Sequence, residues 1–264
     1  SNSIKFAREG TAPEIHISTT MFDGEHYLGK PADFTDVIIS RRVNLVNQIP
    51  DFTNTNLELL EIGCGNGASM FLLSDKFKSC FGVEINDDHQ PAFENYKKEH
   101  QINNCSFQVF NIEQEKLNQQ YDRLISFEVI EHLTSDSYVQ NYYKALKTGG
   151  LAAISVPNKW WIFETHGARL PLLPWNRVPF FSWLPKFIHE RFANARIYTK
   201  SRIRKVMEAA GFEVLSIQYI TAPMDVLKDG WLKRFVLKYI FNTETTSIPF
   251  LSTSIFVVAK KNNE

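Results

Sequence analysis

Short β-prone apolar runs alternate along this chain with segments whose apolar residues recur at helical spacing, and that rhythm is the strongest constraint on its fold. Residues 57–62, 80–85, 105–110, 121–127 and 151–156 read as strands. Residues 68–77, 88–100 and 135–147 read as helices, the last stopped by Gly149 and Gly150. Strands alternating with helices imply an α/β domain whose parallel sheet is covered on both faces and binds ligands beyond the carboxyl ends of its strands. Ahead of this region Val37, Ile38, Leu45, Val46 and Ile49 predict a helix that Pro50 ends. After it come a helix over 199–210 closed by Gly211, a strand over 212–220, and a final strand over 251–260 with room to pair antiparallel at the end of the sheet.

With 264 residues the chain can bury a substantial core without staples. We read residues 1–35 as an N-terminal extension or lid and 36–264 as one domain, interrupted by an insertion at 157–198. Three cysteines, Cys64, Cys80 and Cys105, read as free thiols in a reducing, cytoplasmic setting. No apolar run is long enough to span a bilayer, and no cleavable signal pattern is visible, so a soluble or at most membrane-peripheral protein is expected. The 29 basic side chains balance 29 acidic ones, which argues against a protein devoted to neutralising nucleic-acid phosphates. The balance is uneven, however: residues 159–205 carry ten basic and two acidic side chains and include Trp160, Trp161, Trp175 and Trp183.

Glu61-Ile62-Gly63-Cys64-Gly65-Asn66-Gly67 follows a strand and opens a helix, where glycines let a ligand approach the backbone. Glu84 closes the next strand about 20 residues on, where a carboxylate can accept both hydroxyls of a ribose. Loop and acid together point to a nucleoside. Gly63, Gly65 and Ala68 also satisfy the loose dinucleotide pattern, so a nicotinamide-dependent dehydrogenase is the rival reading. Against it stand the acid Glu61 before the loop, the helical segment that precedes it, and the antiparallel final strand.

On these residues the chain resembles the class I S-adenosylmethionine-dependent methyltransferases over 57–158 and again over 198–260. The resemblance implies a Rossmann-like, doubly wound sheet of seven strands, with only the last antiparallel. It implies that Glu61, Gly63, Cys64 and Gly65 hold the methionine moiety, Glu84 the ribose, and Asn111 with Ile112 the adenine, while Ile85 and Phe127 line the two ends. The cofactor would be S-adenosylmethionine and the product S-adenosylhomocysteine.

The fourth of these strands runs into Glu128-Val129-Ile130-Glu131-His132-Leu133, whose spacing places Glu128, Glu131 and His132 on adjacent faces of a helical turn. Two chemistries remain open. His132 or a glutamate can act as general base on an acceptor hydroxyl, or Glu128, Glu131 and His132 can bind a divalent cation that activates it. A helix start with solvated acids is the plainer alternative. The block is similar to that of the ubiquinone-type O-methyltransferases and of the small-RNA 2′-O-methyltransferases. The RNA enzymes add a histidine at a place occupied here by Asn194, and His166 or His189 of the insertion can substitute for it.

In the insertion Trp160, Trp161, Phe163, Phe180, Phe181, Trp183, Phe187 and Phe192 are interleaved with Lys159, Arg169, Arg177, Lys186, Arg191 and Arg196. That mixture suits a lid over the substrate pocket, an anionic membrane surface, or both. Residues 227–241 predict a short basic amphipathic helix with Trp231, Phe235 and Tyr239 at four-residue spacing, either packed in the core or serving as a second anchor. His26, Tyr27, Arg41 and Arg42 are candidates to cap the cofactor or engage its carboxylate. The function expected is methyl transfer to an oxygen of a lipid-like or glycan-linked small molecule, with RNA ribose methylation and cofactor binding without catalysis as alternatives.

Overall fold

The computed structural model describes residues 22–23, 26–27, 36–164, 166, 179–224, 227–228 and 230–262. The lid reading of residues 1–35 therefore lies outside the described residues, apart from a small ladder of β1 (Phe22–Asp23) and β2 (His26–Tyr27). Eight further strands form one sheet: β3 (Asn54–Ile62), β4 (Phe77–Glu84), β5 (Cys105–Val109), β6 (Tyr121–Phe127), β7 (Leu146–Pro157), β8 (Glu213–Thr221), β9 (Thr245–Thr246) and β10 (Ser252–Lys260). The helices are α1 (Val37–Asn47), α2 (Ala68–Leu73), α3 (Gln90–Glu99), α4 (Val139–Ala145), α5 (Lys186–Phe192), α6 (Lys200–Ala209) and α7 (Trp231–Tyr239).

The strand order is β5-β4-β3-β6-β7-β10-β8-β9, with β3 to β7 mutually parallel and β10 antiparallel to both its neighbours. From β3 the chain steps outward through β4 to β5, then returns to the other side of β3 for β6 and β7. The crevice opened by that reversal lies at the carboxyl ends of β3 and β6. Alternate strand residues feed two cores. Leu60, Ile62, Leu124 and Ile154 pack with Tyr142 of α4 and Ile203 and Met207 of α6. Leu59, Ile125, Ala153 and Phe256 pack with Val43 and Val46 of α1, Phe71 of α2 and Phe93 of α3.

The sheet corrects the sequence reading in three places. It has eight strands rather than seven, because the two-residue β9 pairs antiparallel with β8. The final long strand does not sit at the end of the sheet but between β7 and β8. Ile255 to Ala259 are buried residue after residue, so both faces of β10 are apolar and need cover, whereas β8 is half-exposed and suits a place near the edge. Lastly, Gly149 and Gly150 do not stop a helix; α4 ends at Ala145 and the glycines form an irregularity inside β7. There Gly149 N–H donates to the Lys261 carbonyl at 2.8 Å, and a side chain on Gly150 would come within 2.8 Å of the Lys147 carbonyl oxygen.

A buried arginine ties α1 to the far end of the sheet: Arg41 donates to the carbonyls of Thr221, Ala222 and Phe241. A second polar cluster joins the turn after β6 to α5 and α6. Asp136 accepts from the Tyr198 hydroxyl at 2.6 Å and pairs with Arg196 at 3.2 Å and Arg202 at 3.3 Å, while Arg202 also reaches Glu190 at 2.6 Å. Burial alone would raise the Asp136 pKa, but the hydroxyl and the two guanidiniums outweigh it and hold the pKa below the ordinary carboxylate value. A depressed folded pKa adds stability above the unfolded value of about 4 and loses it as pH falls through the folded one. Asp136→Asn should therefore lower unfolding free energy at neutral pH by about 1–3 kcal/mol. Urea unfolding across a pH series should show the difference from wild type shrinking below pH of about 4; a constant difference at every pH would contradict this account.

Candidate active site

The loop after β3 and the acid after β4 meet in the crevice. Gly63 turns the chain with φ of 72°, and a Cβ there would lie 2.3 Å from Val129 Cγ2. Gly65, with φ of 51°, has nothing within 4 Å of the place its Cβ would occupy, so its backbone borders open space. The N–H groups of Gly63 and Cys64 both donate to the Val83 carbonyl, and Gly67 N–H donates to the Cys64 carbonyl. Gly65 N–H donates to Glu84 Oε2 at 2.9 Å. The N–H groups of Ile85 and Asn86 donate to Glu84 Oε1 at 2.9 and 3.1 Å. Glu84 is thus held rigidly at the mouth of the crevice, and Oε2 keeps lone-pair capacity for a ligand.

Beneath the loop, Glu61 is buried with its Oε2 lacking a hydrogen-bond partner. Burial, followed by nearby Cys105, pushes its pKa well up. Four loop N–H groups are engaged internally, and two acidic side chains, Glu61 and Glu84, stand beside the loop. A pyrophosphate would ask for the reverse. A cationic ammonium or sulfonium suits this wall, and the unpartnered Glu61 oxygen fits a group that brings its own donors and positive charge.

The other residues expected at the cofactor take varied places. Cys64 is buried behind the loop, its thiol against Gly82, and burial raises its pKa, so only its backbone lies along the crevice. Asn111 Oδ1 accepts from Glu113 N–H at 2.9 Å, which makes it a turn former after β5. Ile112 is buried in the core and its carbonyl accepts from Asn141 at 2.8 Å. Phe127 is half-buried, with the Arg42 guanidinium 5.7 Å from its ring centre.

The acidic block does not converge as its spacing suggests. Glu128 has φ of 59°, and beyond it the chain makes a single 3₁₀ turn, Ile130–His132, rather than an α-helix. The left-handed residue aims the Glu128 carboxylate at Arg42 Nη2 at 2.9 Å and Ser155 Oγ at 2.8 Å. Glu131 and His132 instead meet His166 of the insertion. Glu131 Oε1 lies 3.5 Å from His166 Nε2 and 4.0 Å from His132 Nε2, and ligand atoms of all three residues lie within 4.8 Å of one another. The Glu131 carboxyl is fully buried and neither oxygen has a hydrogen-bond partner. Burial, then the nearby Glu128, pushes its pKa well up; burial likewise lowers that of His166, favouring the neutral imidazole at neutral pH. The other named histidine, His189, is not at this cluster; its Nε2 lies 2.7 Å from Glu164 Oε2. Ser155 and Glu164 carried no sequence signal; only the pairing of Phe127 with Ser155 across β6 and β7 brings Ser155 to the block.

The basic, aromatic segments are turned outward in part, while Trp161 and Phe181 are buried. Phe187 is 76% and Trp231 74% exposed; Phe180, Trp183, Phe235 and Tyr239 are exposed as well. Trp183 and Phe250 rings lie 5.5 Å apart, and Val236 and Leu237 of α7 pack against Trp161 of the insertion. Trp175, Arg169 and Arg177 lie outside the described residues. Among the described residues, no helix is long and apolar enough to cross a membrane.

Comparison with known proteins matches residues 32–217 to the methyltransferase-domain family. The chain is 30% identical over 184 residues to the ubiquinone biosynthesis O-methyltransferase of Rickettsia akari, covering 67% of this chain and 66% of that protein. It is 30% identical over 135 residues to the malonyl-[acyl-carrier protein] O-methyltransferase of Priestia megaterium, covering 50% and 49%. Among solved structures, it superposes on an S-adenosylmethionine-dependent methyltransferase from Clostridium acetobutylicum with a TM-score of 0.56 at 12% identity, over 88% of this chain and 93% of that one. The magnesium protoporphyrin IX methyltransferase of Synechocystis, solved with bound S-adenosylmethionine, gives 0.53 at 13% identity, over 87% and 80%. The strand order agrees with the family match: the chain belongs to the class I S-adenosylmethionine-dependent methyltransferases.

Proposed function

We propose that this methyltransferase methylates an oxygen of a small lipid-like or glycan-linked acceptor, and that Glu131, His132 and His166 form the acceptor side of its site. The observation that carries this reading is the fully buried Glu131 carboxyl, without a hydrogen bond, beside two imidazoles just beyond β6. A solvated helix start would have no reason to bury a carboxyl without a hydrogen bond, at a cost of about 1–3 kcal/mol. Support for oxygen as the target comes from the Rickettsia and Priestia relatives, which are O-methyltransferases by name.

S-adenosylmethionine supplies an electrophilic sulfonium methyl and leaves as S-adenosylhomocysteine. The chain's own residues bind and orient. Glu84 accepts the ribose hydroxyls, Glu61 and the backbone of Gly63, Cys64 and Gly65 receive the ammonium end, and Asn111, Ile112, Ile85 and Phe127 border the adenine and methionine ends. His132 takes the hydroxyl proton on an imidazole nitrogen as the acceptor oxygen attacks in line, with Glu131 Oε1 4.0 Å from that ring. Glu128 acts by holding Arg42 beside Phe127. A second reading is favoured by the close grouping of Glu131, His132 and His166: these three would hold a divalent cation, which supplies Lewis-acid activation of the acceptor hydroxyl.

The exposed aromatics, with Lys186, Lys233 and Lys238 alongside, support peripheral contact of the insertion and α7 with an anionic membrane, which would deliver a greasy acceptor. The three buried thiols fit a reducing, cytoplasmic setting. RNA ribose methylation is the weaker reading, because the chain has no net positive charge.

Four measurements test this reading. Glu84→Ala should weaken S-adenosylhomocysteine binding by roughly 10–100-fold in calorimetry, the loss of hydrogen bonds to a charged acceptor. His132→Ala and Glu131→Gln should lower transfer of a radiolabelled methyl group into a lipid extract by about 10²–10⁴-fold with that affinity unchanged; full transfer by both would remove the cluster from the reaction. Treatment with a chelator, then manganese or magnesium, separates base from cation: activity indifferent to both excludes the cation. Vesicles containing phosphatidylglycerol should co-sediment the wild type but release a Trp231→Ala/Phe235→Ala variant, and equal sedimentation would exclude α7 as an anchor.

A further inference from the structure

The insertion carries a second polar couple that the proposed chemistry does not use. Glu164 and His189 are both fully buried, with Glu164 Oε2 accepting from His189 Nε2 at 2.7 Å and from Ser182 Oγ at 3.4 Å. An apolar pair would fill this space at less cost, because His189 Nδ1 is buried with no hydrogen-bond partner. The other oxygen, Glu164 Oε1, accepts from the backbone N–H of His166 at 3.1 Å. On the far side of the same residue, Asn194 Nδ2 donates to the His166 carbonyl at 3.0 Å. His166 is thus gripped through its main chain at both ends.

The grip is also tied to the block that His166 faces. Two residues beyond Asn194, Arg196 N–H donates to the Glu131 carbonyl at 3.1 Å, and its guanidinium donates to the carbonyls of Ile130 and Leu133. One short segment, 194–196, therefore bonds to both partners of the Glu131–His166 contact.

We infer that Glu164, His189 and Asn194 are positioning residues, which present His166 of the insertion to Glu131 and so complete the acceptor side of the site. The inference rests on the proposal that Glu131, His132 and His166 act together. Glu164 fixes the His166 amide, His189 fixes Glu164 by giving its buried carboxylate a donor, and Asn194 fixes the His166 carbonyl. Restricting the main chain on both sides of one residue limits the ring's travel, so the ring keeps facing Glu131.

The test reads His166 itself in protein labelled with ¹⁵N at histidine side chains, its ring signals assigned by their absence from His166→Gln. Wild type should show one sharp set of His166 ring resonances. Asn194→Ala and His189→Leu should each lose it through broadening or splitting, while S-adenosylhomocysteine affinity, set at the other end of the crevice, is unchanged. His189→Gln, whose amide can still donate to Glu164, should restore the single set. If His189→Leu does not fold, Asn194→Ala decides alone. An unaltered His166 spectrum in Asn194→Ala would overturn the inference. Failure of the wild type to bind S-adenosylhomocysteine would instead count against the cofactor site, and leaves the His166 spectra to be judged separately.

Discussion

The site exists because four parallel strands end at one edge. β3, β4, β5 and β6 each finish by handing the chain to a loop on the same side of the sheet, so groups far apart in sequence, Glu61, Glu84, Asn111 and Glu131, are delivered to one crevice without any contact between the loops being needed first. The reversal of winding at β3 keeps the space between the loops after β3 and β6 open. The apolar packing on both faces of the sheet is what holds these ends in register, and the polar chemistry is an outgrowth of it.

Within that crevice, the sign of the available groups matters more than the glycines that drew attention to it. A glycine loop is commonly a place where N–H groups wait for phosphate. Here the Val83 carbonyl, the Cys64 carbonyl and the Glu84 carboxylate take those donors, and the carboxyl groups of Glu61 and Glu84 remain beside the loop. Similar backbone motifs can thus serve opposite charges, depending on which partner strand supplies the acceptors.

Much of the architecture was legible because hydrophobic period and length separate strands from helices, and because Glu84 follows the loop at a spacing the geometry demands. The features that were not legible mark where linear reasoning stops. The period within 135–147 is helical, yet the glycine pair belongs to β7, since pairing with β6 on one side and with Lys261 on the other is a tertiary fact. The pairing of Glu128 with Arg42 depends on one left-handed residue and on Arg42 arriving from α1. Spacing along the block treated its two glutamates as equivalent; the fold makes one an ion-pair partner and the other a buried orphan. His166 was within reach of the sequence as a substitute ligand, but the Glu164 and Asn194 contacts that hold it join residues up to 28 positions apart and follow no period.

The place of β10 has a consequence for the order of assembly. β8 reaches the rest of the sheet only through β10, which is made after it, and the intervening stretch contains α7 and much of the exposed aromatic surface. While the ribosome is still producing residues 222–251, β8 can gain only the two-residue β9 as a neighbour, and β7 presents an unpaired edge. Closure of the sheet is therefore a late, long-range event that comes after synthesis of most of the chain, and until then the nascent protein is open to mispairing along β7. A cell making this enzyme has reason to shield that edge for the seconds before the tenth strand emerges.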